Sequence, residues 1–259
     1  NRSVIKILGK DNHLFLNNII SNDLNKINNK EILLNTLLSP QGKILFDFFI
    51  FKNKENYFIE CSKNQLNDLI KKLKLYSLRL EVNVEEEKFN VIASNFFTDN
   101  EIVRKDSRFQ TEIVYRSFSK QNDKIVNYDT SEWYNHLRFL EICPEGELEI
   151  PSNKIYPFEI DMIYENGINF DKGCFIGQEV VARVKYRGSV KKKYASLKID
   201  ASKVIDNTNI FDNSKKAAGS LIYNSKVYND ILGFGLIKTK YIQKKLTLFC
   251  KNFQVNILD

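Results

Sequence analysis

Cysteine and histidine, the side chains that most often hold transition-metal ions, are scarce in this chain. Its 259 residues include only two histidines and four cysteines, namely Cys61, Cys143, Cys174 and Cys250. The cysteines form no Cys-x-x-Cys pair, and neither His13 nor His136 lies at a metal-ligand spacing. This pattern argues against a structural zinc site, a disulfide framework and a four-cysteine iron–sulfur cluster held by this chain alone. Distant, unpaired cysteines fit a reducing compartment.

Long apolar runs are also missing. No stretch approaches the roughly 20 residues that a membrane helix needs, so we expect no membrane contact. Hydrophobic residues make up 43% of the chain, an ordinary fraction for a globular core. No signal peptide is visible, but the chain begins at Asn1 rather than at a methionine, which leaves open a removed targeting segment.

The positive charge of the chain does not form a nucleic-acid signature. The formal net charge is +7, yet the lysines are scattered, and residues 191–193 are the only run of three. We expect that run to be the solvated start of a strand. No helix-turn-helix, zinc-finger or RNA-recognition pattern accompanies it, so we expect no direct contact with nucleic acid.

The periodicity of residues 1–188 predicts an α+β domain with mostly antiparallel sheets. Strands are expected at residues 4–8, 32–38, 44–51, 56–61 and 82–93 and near 102 and 113; helices are expected directly after residue 11, at 65–76, at 133–142 and from 178. We expect Asp11 to cap the first helix and residues 85–87 to form a solvated turn. In the helix at 133–142, Leu137 and Leu140 are expected to face the core.

The pattern changes after residue 188. Short apolar runs at residues 190–199, 217–222, 231–237 and 246–258 predict strands, with glycines where a barrel must bend. No low-complexity linker separates this part from the first. We therefore predict a small C-terminal β-barrel at residues 189–259 that packs against the first domain.

The most unusual stretch is Lys-Gly-Cys-Phe-Ile-Gly-Gln-Glu at residues 172–179. Gly173 and Gly177 bracket Cys174 and indicate a sharp turn or the close approach of another group. A helix expected from Gln178 puts Cys174 just before a helix N-terminus. The partial positive charge there, with Lys172 nearby, favours the thiolate, the form that attacks electrophiles and binds metals. The alternative is that Cys174 is a small buried apolar residue.

Asp47 is the single charge in the very apolar strand predicted at residues 44–51. A buried carboxylate needs a hydrogen-bond donor or a cation as partner. That partner could be a backbone amide or an arginine, or Asp47 could contact a ligand.

Residues 172–179 resemble the signature octapeptide of the YgfZ family, folate-binding relatives of the glycine-cleavage T-protein that support iron–sulfur cluster assembly. Every position of that pattern, Lys-Gly-Cys-aromatic-any-Gly-Gln-Glu, is present. The turn at residues 39–42, the continuation at 182–188 and the barrel are also similar to the family. The resemblance implies a T-protein-like folate-binding fold with tetrahydrofolate or a derivative as cofactor. It implies iron–sulfur enzymes, including tRNA-modifying ones, or cluster-assembly proteins as partners, in a bacterial cytoplasm or alternatively a mitochondrial matrix.

The resemblance also implies roles for individual residues. Cys174 would carry the chemistry, and Lys172 would favour its thiolate. Asp47 and Glu159 would contact the folate, because a carboxylate can accept two adjacent N–H donors of a pterin edge. Gln178, Glu179 and Arg183 would orient the loop, and Arg183 or Arg187 would contact an anionic tail. The alternative for Glu159 is a surface salt bridge or a helix cap.

The chain departs from the aminomethyltransferase relatives at one informative position. Their hairpin carries two adjacent acids, one of them catalytic, whereas this chain has Phe46 before Asp47. This departure argues against aminomethyl transfer and leaves folate contact by Asp47 open. We therefore predict a monomeric accessory protein. The alternatives are a tetrahydrofolate-dependent aminomethyltransferase or other one-carbon transferase, and a scaffold with a vestigial folate pocket.

Overall fold

The computed structural model describes residues 1–97, 102–120, 131–162, 167–206, 208–244 and 246–258, with only the backbone of Arg187. The described strands are β1 (Arg2–Leu8), β2 (Leu33–Leu38), β3 (Ile44–Asn53), β4 (Asn56–Ser62), β5 (Asn83–Glu87), β6 (Phe89–Ser94), β7 (Ile102–Lys105), β8 (Tyr115–Lys120), β9 (Lys192–Ile199), β10 (Asn209–Asp212), β11 (Ala217–Val227), β12 (Asp230–Lys238), β13 (Leu248–Cys250) and β14 (Phe253–Ile257). The described helices are α1 (Asn12–Ile19), α2 (Leu66–Tyr76), α3 (Ser131–Leu140), α4 (Gly146–Glu149), α5 (Gln178–Arg187) and α6 (Thr239–Lys244).

Two antiparallel sheets build the first part of the chain. The larger has the strand order β2-β3-β4-β1-β5, and the smaller has the order β6-β8-β7. The predicted hairpin forms between β2 and β3, with Leu34 opposite Phe49 and Thr36 opposite Asp47. The turn between these strands contains Gly42 at φ +77°, a conformation that favours glycine.

The larger sheet is covered on both faces, which explains the apolar run in β3. Phe48 and Ile50 pack in a core with residues of α1 and α2. Phe49 and Phe51 point to the other face and pack with Phe118 of the smaller sheet. Successive strand residues point to opposite faces, so a strand between two apolar layers carries no polar alternation.

The C-terminal part is the predicted β-barrel, closed in the order β10-β11-β12-β9-β14-β13. Glycine is required at the closest strand contacts: a Cβ on Gly219 would lie 2.4 Å from the carbonyl oxygen of Leu236. The prediction that the barrel packs against the first part is confirmed, because Tyr194 and Phe234 share a core with Leu38 and Phe139. The division at residue 188 stays a prediction.

Three local predictions are wrong. Asp11 precedes α1 but does not cap it; its carboxylate instead accepts the Glu81 N–H at 2.8 Å, because the Asp11 backbone (φ −94°, ψ 7°) is not extended as a cap requires. Residues 85–87 are not a turn but part of edge strand β5, where Lys6 of β1 lies within 4.0 Å of carboxylate oxygens of Glu85 and Glu87. Leu140 is exposed, because α3 turns Arg138 and Phe139 inward instead.

Candidate functional site

The stretch at residues 172–179 forms a loop that runs into the first turn of α5, which begins at Gln178 as predicted. Gly177 lies at φ +81° immediately before the helix. Phe175 is buried in the same core as Val181 of α5. The Phe175 N–H donates to the Gln178 side-chain oxygen at 3.4 Å, so Gln178 orients the loop from the first turn of the helix.

Lys172 fastens the other end of this loop. Its ammonium donates to the carbonyl oxygens of Ile20 at 2.9 Å and Asn22 at 2.7 Å, and also to that of Asn17. These three bonds use all three N–H groups of the ammonium. Burial lowers the pKa of Lys172 to about 8, and nearby Asp23 acts in the opposite direction. Lys172 thus anchors the loop to α1, while an effect of its charge on the thiol stays a prediction.

Cys174 projects from this fastened loop and is exposed. The alternative that it is a small buried residue is therefore wrong. The other three cysteines, Cys61, Cys143 and Cys250, are buried. Burial raises the pKa of Cys61 to about 12 and also raises that of Cys250, which keeps both thiols protonated near neutral pH. Cys174 is therefore the thiol that a partner or reagent can reach.

The turn of the first hairpin packs directly against this loop. A Cβ on Gly177 would lie 2.5 Å from the Ser39 carbonyl oxygen and 3.0 Å from the Gly42 Cα. A Cβ on Gly42 would in turn lie 3.0 Å from the Val180 Cβ. The backbone of the hairpin turn and that of the loop before α5 therefore lie so close together that little room remains for a side chain at Gly42 or Gly177. The fold joins the two stretches on which the resemblance rests.

We expect Gly177→Ala to lower the free energy of unfolding by roughly 1–2 kcal/mol or more, because alanine must adopt the left-handed conformation. Its methyl group would also collide with Ser39. Gly173→Ala is the matched control, since nothing lies within 4 Å of a Cβ added there. That change should alter stability by less than about 0.5 kcal/mol. Urea unfolding measures both, and equal effects of the two changes would contradict this account of the loop.

Glu179 and Arg183 form an ion pair with each other on the outer surface of α5. Their charged atoms lie 2.8 Å apart, and their side chains are 85% and 68% exposed. An exposed pair of this kind contributes at most about 1 kcal/mol to stability. The Arg187 side chain lies outside the described residues. The predicted ligand contacts of these three residues stay predictions.

Asp47 is buried and has a backbone partner. Its two carboxylate oxygens accept the Gly146 N–H at 3.1 and 3.0 Å. Burial raises the pKa of Asp47, and the nearby Arg2 acts in the opposite direction. Of the alternatives for this residue, the structure shows the backbone amide, so Asp47 ties β3 to the first residue of α4.

Glu159 also has a local partner. It ends a 3-10 turn (Pro157–Glu159), and its carboxylate accepts the Tyr156 N–H at 2.9 Å. This bond closes the turn at residues 157–159; the alternative of a cap for a helix at residues 160–164 stays a prediction, because that range lies partly outside the described residues. Burial raises the pKa of Glu159. Folate contact by Asp47 and Glu159 stays a prediction.

Tyr194, in β9 of the barrel, is near enough to Asp47 and Glu159 for both charges to affect its pKa. Its hydroxyl donates to the Glu149 carbonyl oxygen at 2.7 Å. Burial raises the pKa of Tyr194, and the carboxylates of Glu149, Glu159 and Asp47 raise it further. The Tyr194 phenol therefore stays neutral near both predicted folate carboxylates.

A cavity of about 540 Å³ lies next to the amide that binds Asp47. Its walls come from the first residues of β1, the last residue of β4, from β6, β8, α3 and α4, and from the barrel. The lining residues include Arg2, Ser62, Lys63, Asn64, Val91, Ala93, Arg116, Tyr134, Arg138, Glu145, Gly146, Glu147, Leu148 and Tyr223. Asp47 and Glu159 are not among the described residues that line it.

A buried ionic network supports one wall of this cavity. Arg116, 1% exposed, donates to Asp106 at 2.9 Å and to Glu60 at 2.5 Å, and it also bonds Glu145 and Tyr134. Burial alone would raise the pKa of Glu145, but Arg116 and the neighbouring arginines hold it well below its usual range. Each member makes at least one hydrogen bond inside the network, while Glu60 Oε2 is buried without a partner among the described residues.

Two of the residues that line the cavity each have a buried side-chain atom without a hydrogen-bond partner among the described residues. Arg138 uses both terminal nitrogens on Glu149, at 2.5 and 2.9 Å, but its Nε–H is unpaired. Glu147 accepts from Asn64 at 2.8 Å with one carboxylate oxygen, while the other, Oε2, is unpaired. Each such buried group costs about 1–3 kcal/mol until a partner reaches it.

The sequence did not identify this network or the cavity. A signal was present: Val114, Arg116 and Phe118 alternate along one face, and both apolar members are buried. A charged residue at such a position must be paired inside the protein. Its partners at 60, 106 and 145 are far apart along the chain, however, so the sequence does not show which they are.

Among the described residues, no three or more histidine, cysteine, aspartate or glutamate side chains are grouped so that they could hold a metal ion. No helix in the same part of the chain has the length and apolar character needed to cross a membrane.

Comparison with solved structures identifies the architecture. Glycine cleavage system aminomethyltransferase T from Bartonella henselae matches with a TM-score of 0.76 and 10% sequence identity, over 100% of this chain and 83% of that one. The chain has the fold of aminomethyltransferase T. The predicted fold class, an α+β domain of the T-protein type with a C-terminal barrel, is thereby confirmed.

Comparison with curated sequences gives a second set of relatives. The chain is 30% identical over 222 residues to a mitochondrial iron–sulfur cluster assembly factor, an IBA57 homologue of Neurospora crassa, covering 74% of this chain and 51% of that protein. It is 24% identical over 283 residues to the Dictyostelium discoideum homologue, covering 88% and 69%. The chain thus spans about half the length of the Neurospora relative. No family model matches the chain. The aminomethyltransferase T fold and the IBA57 relatives support the resemblance to the YgfZ family at the level of the superfamily.

Proposed function

We propose that this chain is an accessory protein that binds a reduced folate and supports the maturation or repair of iron–sulfur enzymes, including enzymes that modify tRNA. The observation that carries the proposal is the position of Cys174. It is the exposed cysteine of the chain, and it lies on a loop anchored by Lys172 at one end and by Gly177 at the other. A thiol held in this way is presented to a partner without a large loss of conformational entropy.

The chemistry of a single thiolate determines what kind of accessory role is possible. A typical iron–sulfur cluster needs about four protein ligands, most often cysteine thiolates. Cys174 would supply one, or act as a redox nucleophile, while the other ligands of a transferred cluster would come from the partner protein. The cluster is then cargo that passes between proteins. The YgfZ-like octapeptide supports this assignment to Cys174.

The cavity fits a folate in size and in the character of its wall. Its volume of about 540 Å³ lies within the range of roughly 300–1,000 Å³ typical of small-molecule sites. Its lining combines apolar side chains such as Val91 and Leu148 with polar ones such as Ser62 and Asn64. Lys63, which is exposed at the rim, suits an anionic tail. When bound, a reduced folate would supply a one-carbon unit or reducing equivalents.

Aminomethyl transfer is less well supported. The fold is that of an aminomethyltransferase, but the hairpin keeps one acid where two would be expected. That acid, Asp47, is buried against the Gly146 amide and does not line the cavity among the described residues. An assay for methylene-tetrahydrofolate formation from an aminomethyl donor distinguishes this alternative.

The names of the relatives bear on where the chain acts. The Neurospora and Dictyostelium proteins are both named mitochondrial iron–sulfur cluster assembly factors. They favour the mitochondrial matrix over a bacterial cytoplasm as the setting of the proposed role. The partner is accordingly an iron–sulfur protein or an assembly protein.

Anaerobic calorimetric titration of the wild-type chain with tetrahydrofolate tests the folate part of this proposal. We expect one folate site per chain, at the cavity of about 540 Å³; a second pocket of about 500 Å³ lies on the barrel, at Phe211 and Phe249. Bound ligand should also raise the stability of the folded state, by about 2.7 kcal/mol at a free concentration 100 times the dissociation constant. No heat of binding and no thermal stabilisation would remove folate from the account.

A further inference from the structure

The outer face of α5 carries an exposed tyrosine close to the Cys174 loop. Glu179, Arg183 and Tyr186 stand at positions i, i+4 and i+7 and therefore lie on one face of the helix. All three side chains are exposed, and Tyr186 is 68% exposed. A large aromatic side chain that the fold leaves open to solvent is a common feature of protein interfaces.

Two neighbouring side chains hold Tyr186 in place. Its ring meets the Phe170 ring edge-on, with the centroids 6.2 Å apart. The Lys185 ammonium lies 4.1 Å from the centre of the Phe170 ring and 5.2 Å from that of Tyr186. Phe170 itself is partly buried against the core that contains Phe175. Tyr186 is thus exposed but supported on one side, so it loses less conformational entropy on binding than a free side chain.

Positive charge without acidic residues accompanies this cluster along the chain. Residues 180–199 contain seven lysines and arginines and no aspartate or glutamate. Three of the seven form ion pairs with acids outside this range, namely Arg183, Lys193 and Lys198. Three others form no ion pair among the described residues, namely Lys185, Lys191 and Lys192. The end of α5 and the start of β9 therefore present positive charge that the described part of the chain does not neutralise.

One partner is large enough to cover both this face and the thiol. Cys174 is four residues before Gln178, so their Cα atoms lie at most about 14 Å apart. Tyr186 is eight residues after Gln178, about 12 Å along the helix. A standard protein interface buries about 800 Å² on each partner, a patch roughly 30 Å across.

We infer that the outer face of α5, with Tyr186 at its centre, is the docking surface for the protein that Cys174 serves, and that this protein presents an acidic patch; the inference rests on the proposed function. The carboxylates of that patch face the unpaired lysines, which steers the encounter and fixes its orientation. Tyr186 is the aromatic anchor of the interface. The partner is accordingly an acidic iron–sulfur protein or assembly protein.

The composition of this face favours a protein over a nucleic acid. A single-stranded nucleic acid stacks successive bases on several aromatic rings, whereas Tyr186 is the one exposed ring among the described residues of α5. Glu179, on the same face, repels a continuous phosphate backbone. A protein can instead place a neutral or basic side chain opposite Glu179 and carboxylates opposite the lysines.

Rescue of a Neurospora crassa strain depleted of its own IBA57 factor tests this inference. Wild type, Tyr186→Ala and Cys174→Ala are directed to the mitochondrial matrix over a graded range of expression levels, and the activity of an iron–sulfur enzyme is measured. We expect Tyr186→Ala to need at least about tenfold more protein than wild type for the same activity, because loss of an anchor weakens docking and mass action restores it. Cys174→Ala should restore no activity at any level.

Two control variants match the two features of the surface. Phe97 is 69% exposed and meets the Tyr115 ring edge-on at 5.8 Å, so Phe97→Ala should act as wild type does. Lys185→Glu should need at least about tenfold more protein. Lys72→Glu should not, although the Lys72 ammonium also lies 5.0 Å from a tyrosine ring on its own helix. Tyr186→Ala and Lys185→Glu should keep the wild-type urea midpoint and the rapid reaction of the Cys174 thiol.

The outcomes separate the inference from the proposed function. If Tyr186→Ala rescues as well as Phe97→Ala, or Lys185→Glu as well as Lys72→Glu, the inference is overturned and the proposed function survives. If purified wild type binds bulk tRNA at about 0.15 M salt and Lys185→Glu weakens that binding about tenfold, the surface binds nucleic acid and the inference is likewise overturned. If wild type restores no activity, the inference and the proposed function both fall.

Discussion

We expect Arg116→Met to lower the free energy of unfolding by about 3–5 kcal/mol, the cost of removing one partner from a buried ion pair. Arg116 is 1% exposed and bonds three carboxylates, those of Glu60, Asp106 and Glu145. Methionine has a similar length but offers no charge and no N–H donor, so the carboxylates are left without this partner. Arg108 remains near Asp106 and Glu145, at 2.8 and 2.5 Å, but Glu60 keeps only Arg2.

Arg183→Met is the matched control for this substitution. Arg183 also pairs with a glutamate, but both side chains are exposed on α5. Loss of this exposed ion pair should lower the free energy of unfolding by no more than about 1 kcal/mol. Urea unfolding of both variants at one pH gives the comparison. If Arg116→Met costs as little as Arg183→Met, the network does not hold the first part of the fold together as described.

The cost of Arg116→Met should also depend on pH in the acid range. Burial alone would raise the pKa values of Glu145 and Asp106, but Arg116 and Arg108 hold them below the usual range. A carboxyl group with a lowered pKa in the folded state stabilises the fold above its unfolded pKa, and this contribution is lost as the pH falls towards the folded pKa. The difference between variant and wild type should therefore be constant from about pH 6 to 8 and shrink below about pH 4.5.

We expect one thiol per native chain to react rapidly with a soluble thiol reagent, and Cys174→Ala to abolish that rapid reaction. Cys174 is exposed, whereas the other three thiols are buried. A buried thiol meets the reagent only during local or global opening, so its reaction should be slower by about two orders of magnitude or more. Cys250→Ala should leave the rapid phase intact. A second rapid thiol, or a rapid phase that survives Cys174→Ala, would contradict this placement.

Much of the fold could be predicted because its signals are local. The apolar spacing of α2, the hairpin at residues 33–53 and the barrel glycines each follow from the period of a strand or helix or from a required backbone angle. Gly177 was likewise identified as a turn residue, and its φ of +81° bears this out. The prediction of a turn at residues 85–87 was wrong because three adjacent glutamates are typical of a solvated turn. An edge strand next to Lys6 also accommodates them.

The candidate site was less predictable because its partners are distant in sequence. The sequence around Asp47 does not indicate that both its carboxylate oxygens accept the N–H of Gly146, 99 residues away. Glu147 lies in an ordinary acidic stretch, and only the tertiary fold leaves one of its oxygens unpaired. The motif placed Cys174 just before the helix that begins at Gln178, but its exposure and the three carbonyl groups that hold Lys172 follow from the tertiary fold.

The central claim is that the chain supports iron–sulfur enzymes through Cys174, and one rescue experiment tests it most directly. The chain, directed to the mitochondrial matrix, is expressed in a Neurospora crassa strain depleted of its own IBA57 factor, and the activity of an iron–sulfur enzyme is measured. We predict that wild type and Cys250→Ala restore this activity, and that Cys174→Ala does not, although it accumulates to the same level as a folded protein. Full restoration by Cys174→Ala would contradict the account.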